Sequence, residues 1–206
     1  MRFLWAQAGT MERMGGRFGV FTSPSHGGVV QGIKEGRAFA VDNECFTQGF
    51  REVKFFGFLR KLEPYRENNL FVTVPDVVGD AVATRDMWDK WSRDSRFDGW
   101  RLAFVAQDGQ ENYKIPDGAG ALFIGGSTYW KESHHAMKVI QEAQRRGLLV
   151  HIGRINWKRR FFLLRGIVGS EKFTCDGTRH KYEDSEKTER AWVDYMGEVN
   201  YQLRLI

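Results

Sequence analysis

Cysteine is scarce in this chain. Cys45 and Cys175 are the only two among 206 residues, and they form no Cys-x-x-Cys pair. No histidine cluster stands at zinc-finger spacing, so the pattern argues against a zinc site. Two lone cysteines also argue against a disulfide framework and fit a reducing compartment. Long apolar runs are missing too. No stretch approaches the roughly 18 residues that a membrane span needs. The opening "MRFLWAQAG" holds one arginine and too short an apolar run for a secretory leader. There is no internal repeat, low-complexity tract or linker. The expectation is one soluble, cytoplasmic domain covering residues 1–206.

What is present is a core and an aromatic excess. Hydrophobic residues make up 42% of the chain, enough for one ordinary domain with a real interior. Sixteen Phe and seven Trp could also furnish a surface that stacks flat ligands. The formal charge of +5 leans towards polyanionic partners such as nucleic acid, and a solvated basic surface explains it equally well.

Eight short apolar runs recur, each closed by Gly, Pro, Asp or Asn. They are "FLWAQAG", "GVFTSP", "AFAVDN", "LFVTVPD", "RLAFVAQDG", "ALFIGG", "LLVHIGR" and "KFTCDG". Most are continuously apolar rather than alternating, as expected of parallel strands buried on both faces. Helical patterns fall between them. Asp80 to Arg96 places Val82, Met87, Trp88 and Trp91 at helical spacings, with Asp80 as N-cap. Ser133 to Arg146 places Ala136, Met137, Ile140 and Ala143 on one stripe, with Gly147 closing it. Further helices are expected within Glu44 to Glu67, over Trp157 to Val168, and over Glu186 to Leu205. Alternating strands and helices predict an α/β fold, a trimmed and irregular (β/α)8 barrel of the TIM type. Helices are expected to be missing from Thr10 to Arg17, Ser25 to Arg37 and Asp108 to Gly120, which are too short. An open, doubly wound sheet is the alternative.

In such a barrel the chemistry gathers where strands end. The predicted ends carry Asp42 and Asn43, Asp76, Gln107 and Asp108, Gly125 and Gly126, Arg154, and Asp176. Each alone reads as a turn residue, since Asp, Asn and Gly favour turns. Together on one rim they read as a polar site. Paired carboxylates suit the breaking of a glycosidic bond. Gln107 offers a donor and an acceptor on one plane. Gly125 and Gly126 let backbone approach a flat ligand. Arg154, with Lys131, Lys158, Arg159 and Arg160 near it in sequence, could hold phosphates, although "WKRR" is equally a solvated helix face.

The order of these turns resembles that of the tRNA-guanine transglycosylases and their DNA-acting relatives. The segments "VDNECFTQ", "VPDVVGD", "VAQDG", "FIGGSTYWKES" and "FTCDGTR" stand where that family carries its first catalytic aspartate, its base-recognition turns and its nucleophilic aspartate. The resemblance spans roughly Ala38 to Lys181. It looks closest to the compact phage and bacterial branch, which includes enzymes of 7-deazaguanine placement in DNA and antiviral DNA glycosylases. By position, the resemblance implies Asp176 as nucleophile and Asp42 as the second acid/base group. It implies Asn43, Asp76, Gln107, Gly125 and Gly126 around the base. Thr178 and Arg179 fall near family residues that approach the nucleic-acid backbone. Two departures matter. "DNECF" replaces the family's "DSGGF", so Cys45 fills a glycine position and reshapes the base pocket. The zinc-binding cysteine cluster of the tRNA enzymes is absent, which favours DNA over tRNA.

The implied function is a DNA glycosylase acting on a modified base, with DNA as partner and neither cofactor nor metal. The base would have to leave the stack, and Trp130, Trp157 or Phe46 could stack on it or fill its place. The close alternative is base exchange with a free 7-deazaguanine base. A non-catalytic nucleic-acid-binding barrel and an enzyme for small phosphorylated metabolites also remain open. His134 and His135 are adjacent on a helix and point apart, which disfavours a shared metal. His151 reads as a satisfied core or rim histidine.

Overall fold

The computed structural model describes residues 2–5, 18–155 and 173–177. Its eight strands are β1 (Arg2–Trp5), β2 (Phe18–Thr22), β3 (Phe39–Val41), β4 (Asn69–Thr73), β5 (Leu102–Ala106), β6 (Ala121–Ile124), β7 (Leu149–Ile152) and β8 (Phe173–Asp176). They coincide with the eight apolar runs. Each lies parallel to its neighbours, and β8 pairs with β1, so the sheet closes into a barrel. The fold is mixed α/β, as expected, and the open-sheet alternative does not describe it.

Why the strands read as continuous apolar runs follows from where their two faces go. Phe39, Val41, Leu102, Phe104, Leu122, Ile124, Val150, Ile152, Phe173 and Cys175 point outward into the core shared with the helices. Ala40, Phe71, Ala103 and Ala121 lie in a second, smaller cluster with Phe21 inside the barrel. Successive side chains of a strand point to opposite faces, so both faces here must be apolar. The inner cluster alternates large and small. Phe21, Phe71 and Phe123 come from β2, β4 and β6, with ring centroids 6.1 to 6.5 Å apart. Burying each such ring is worth roughly 1.5–3 kcal/mol.

The helices are α1 (Gln31–Lys34), α2 (Cys45–Gln48), α3 (Glu52–Leu62), α4 (Ala81–Trp91), α5 (Thr128–Lys131) and α6 (His134–Arg145). In α3, Phe55, Leu59 and Leu62 bury one stripe at spacings of four and three. Asp80 caps α4, accepting from the backbone N–H of Ala83 at 3.0 Å. Ser133 precedes α6, and Gly147 follows it in the left-handed region at φ 68°. The trimming is as expected where it is described. The segment between β2 and β3 holds only a single-turn α-helix and a 3-10 turn, and that between β5 and β6 only a 3-10 turn, Gln110–Asn112. Residues Thr10 to Arg17, Trp157 to Val168 and Glu186 to Leu205 lie outside the described residues.

Two helical readings need correction. The helix expected to run from Asp80 to Arg96 stops at Trp91. Asp94 takes the backbone N–H of Arg96 at 3.0 Å and opens a new turn, so its side chain competes with helix continuation. Val82, placed on the apolar face, is 53% exposed. In α6 the buried residue beside Ala136, Ile140 and Ala143 is Val139, with Met137 only half-buried. Among the described residues, no helix is long and apolar enough to cross a membrane.

Candidate active site

The inward face of each strand runs on into the barrel mouth. Asp42 follows Ala40 by two, Gln107 follows Ala103 by four, Gly125 follows Phe123 by two, and Asp176 follows Thr174 by two. This parity delivers polar residues to the floor of a cavity of about 500 Å³ at the C-terminal ends of the strands, a volume ordinary for a small-molecule site. Asp42, Asn43, Asp76, Gln107, Gly125, Gly126, Arg154 and Asp176 all line it, so the structure brings together the described strand-end residues except Asp108. Its walls include Phe21, Val105 and Phe123.

Asp176 is held on one side. Its Oδ1 accepts from the backbone N–H of Arg154 at 3.0 Å and lies 3.1 Å from Nε2 of His151. The other oxygen, Oδ2, makes no hydrogen bond with the described residues. Asp42 has a different environment. Burial first, then repulsion from Asp176 and Asp76, pushes its carboxyl up to about 7, against a weaker opposing hydrogen bond from the Glu44 backbone. A carboxyl poised there can give or take a proton near neutrality.

Asp76 sits deeper, and its carboxyl too is raised, chiefly by burial. Asn43 Nδ2 donates to its Oδ1 at 2.8 Å and Gln107 Nε2 donates to its Oδ2 at 2.6 Å. Both amides are engaged through their oxygens as well as their nitrogens. Asn43 Nδ2 also donates to Val74 O, and its Oδ1 accepts from Cys45 N–H. Gln107 Oε1 accepts from the backbone N–H groups of Gly79 at 3.0 Å and Gly126 at 2.8 Å. These donors and acceptors fix the amide orientations without ambiguity. The two amides therefore act on the site by fixing Asp76 and the Gly126 loop.

Gly126 needs its backbone, at φ 68°, and a side chain there would strike Asp108 and Trp130. A Cβ on Gly125 would come within 2.7 Å of Gln107 Nε2. Arg154 is itself left-handed, at φ 60°. Its guanidinium donates to Gly126 O at 3.0 Å and covers the Phe46 ring at 4.1 Å. Phe46 is 60% exposed, at the rim. Glu44, the other left-handed non-glycine at φ 64°, accepts from Ser25 N–H and Arg51 at 2.7 and 2.9 Å. Burial opposes its ionisation, but hydrogen bonds from the Ser25 and Ser23 side chains, then from Arg51 and the Ser25 backbone, outweigh it and hold its carboxyl down at about 2. Strained backbone at two strand ends beside one cavity fits a functional rim.

Several expectations change. Lys131 is 1% exposed and donates to Gly153 O at 2.9 Å. It lies inside the protein, because α5 is a single turn that drives its last residue beneath the β7 loop, and it cannot serve as a surface phosphate contact. Trp130 is buried, with its Nε1 donating to Glu111 at 2.8 Å, so it is not free to stack on a ligand. Asp108 turns away to Ser127, whose N–H and hydroxyl both donate to it at 2.6 Å. Cys45 lies beside Asp76, and burial pushes its thiol up to about 12. Lys158, Arg159, Arg160, Trp157, Thr178 and Arg179 lie outside the described residues.

The residue that sequence reading undervalued is His151. It lies beneath Asp176, with its ring centroid 4.6 to 5.1 Å from those of Phe21, Phe71 and Phe123. Inward parity on β7, two residues before Gly153, was the available signal. Among the described residues, no group of three or more His, Cys, Asp or Glu side chains is arranged to hold a metal. No protein-family model matches the chain, and no curated protein matches it in sequence.

Proposed function

We propose that this chain is a DNA glycosylase that releases a modified nucleobase. On this reading its barrel is of the TIM type, in the compact phage and bacterial branch of the tRNA-guanine transglycosylase-like superfamily, and its biological setting is antiviral defence against modified phage DNA. One observation carries the reading. Asp176, with one oxygen held by two nitrogens and the other unbonded among the described residues, shares a cavity with Asp42, whose carboxyl is held near 7. Two carboxylates in unlike environments are what acid-assisted departure from a sugar carbon requires.

The steps balance. Asp176 attacks C1′, the C1′–N bond breaks, and its electron pair leaves with the base, which takes the proton from Asp42. Water then attacks C1′, Asp42 recovers a proton from it, and Asp176 is released. The cavity's charge supports a base rather than a phosphate in its depths. Asp42, Asp76 and Asp176 line it, together with Glu44, while Arg154 stands at the rim. Phosphates would be repelled inside and accepted outside, as expected for a flipped nucleotide whose base enters first. Phe46 with Arg154 over it offers a stacking pair at the entrance. This charge distribution also disfavours a small phosphorylated metabolite as substrate.

The test is incubation with DNA carrying different base modifications, then mass spectrometry of the released bases and detection of abasic sites. Free base with abasic sites, and no added cosubstrate, is the expected result. A reaction that proceeds only when a free 7-deazaguanine base is supplied would replace hydrolysis by base exchange. DNA binding with no product from any modified substrate would leave a non-catalytic barrel.

A further inference from the structure

His151 is a buried titratable group that the steps above do not use. It is wholly inside the barrel, enclosed by Phe21, Phe71 and Phe123. Among the described residues, two polar atoms reach it. Thr174 Oγ1 lies 2.8 Å from Nδ1, and Asp176 Oδ1 lies 3.1 Å from Nε2. Both partners come from β8, which pairs with β7 so that His151 stands opposite Thr174.

The chemistry of these partners settles the proton. A carboxylate only accepts, while a hydroxyl gives or accepts. A neutral imidazole has a single N–H. That hydrogen must be on Nε2, facing Asp176, and the Thr174 hydroxyl must donate to Nδ1. The reverse tautomer would set two lone pairs against each other in an apolar shell. Burial in that shell lowers the His151 pKa, and Lys131 adds to the effect, while Asp176 opposes it.

We propose that His151 is a positioning residue for the reacting carboxylate: as a neutral Nε2–H donor oriented by Thr174, it occupies Asp176 Oδ1 together with Arg154 N–H, so that Oδ2 is the atom that attacks. The choice of Oδ2 rests on the glycosylase reading, whereas the tautomer and its dependence on Asp176 do not. A neutral donor has a specific use here. It holds the carboxylate in place without the full positive charge that would blunt a nucleophile, and without a proton that could pass to it cheaply. His151 moves no proton in this account.

Two measurements test it. The first is 15N NMR of the histidine-labelled protein, with His151 assigned from His151→Gln. The expected spectrum shows Nε2 protonated and Nδ1 bare at neutral pH and above, with a shift in Asp176→Asn. An imidazolium, or the Nδ1–H tautomer, in that range would overturn the proposal even if no DNA substrate is ever found. The second compares base release by variants on whichever modified DNA the wild type cleaves. Gln can present an amide N–H to Asp176 and an oxygen to Thr174. His151→Gln should therefore keep activity within about 10-fold with the wild-type pH profile. His151→Leu, which fills space without a donor, should lose about 10- to 100-fold, the worth of a hydrogen bond to a charged group. Equal loss in both variants, or a pH limb that vanishes in His151→Gln, would make His151 a proton-transfer group instead. If the wild type releases no base, the function reading fails and the NMR result still judges the inference.

Discussion

Gln107 gives its amide N–H to Asp76 across 2.6 Å while its carbonyl oxygen takes the backbone N–H groups of Gly79 and Gly126. One side chain just past the end of β5 thereby ties the loops after β4 and β6 to each other and aims a buried carboxylate into the cavity. Replacing it by Leu leaves Asp76 short of a donor and two backbone N–H groups without an acceptor. Gln107→Leu should cost about 1–3 kcal/mol in chemical denaturation. It should also abolish ligand binding, which calorimetry with a substrate base would register. Stability unchanged within error would mean that the network contributes nothing.

Asp42 gives two pH signatures. Its carboxyl is raised from 3.8 to about 7 in the folded protein, so the folded state binds the proton more tightly than the unfolded chain. Ionising it therefore weakens the fold as pH rises through this interval. Asp42→Asn should raise the melting temperature at pH 8 and do so much less at pH 5. On the proposed mechanism, the acid form is the useful one for base departure. The rate should fall above about pH 7 in the wild type. The Asn variant should lack that limb and be about 10²- to 10⁴-fold slower.

Gly125 tests how closely the backbone must approach the floor of the site. An added Cβ would meet Gln107 Nε2 at 2.7 Å and Val105 Cγ1 at 3.0 Å. Gly125→Ala should displace the Gln107 amide and cost about 1–3 kcal/mol. A crystal structure of the variant with Gln107 unmoved would contradict this.

The barrel was legible in the sequence because each strand is buried on two faces, which leaves an uninterrupted apolar run closed by a turn residue. Asp42, Asp76 and Asp176 were legible for the same reason, as the first polar residues beyond those runs. Less legible was what their neighbours do. Asn43 and Gln107 look like ligand-reading amides on a rim, yet their carbonyl oxygens are turned to backbone N–H groups and their nitrogens hold Asp76. That depends on loops brought together only by barrel closure. His151 was visible by parity, but its partner Thr174 lies 23 residues away in the chain. Lys131 was misplaced because sequence proximity to basic residues says nothing about which side of a single-turn helix is covered.

Lys131 supplies a contrast for DNA binding. With its amine on Gly153 O inside the protein, Lys131→Met should alter thermal stability. It should leave the slope of log affinity against log salt unchanged. Loss of a phosphate contact would reduce that slope by about 1, and such a change would place Lys131 on the nucleic-acid surface after all.

The central claim is that Asp176 makes the bond to the sugar carbon. Its most direct measurement is abasic-site formation in modified DNA by the wild type and by Asp176→Asn, side by side, with folding of both checked by circular dichroism. The wild type should release free base and leave abasic DNA. The Asn variant should be folded, bind the same DNA and release at least about 10³-fold less base. A folded Asp176→Asn protein that releases base at the wild-type rate would contradict the account.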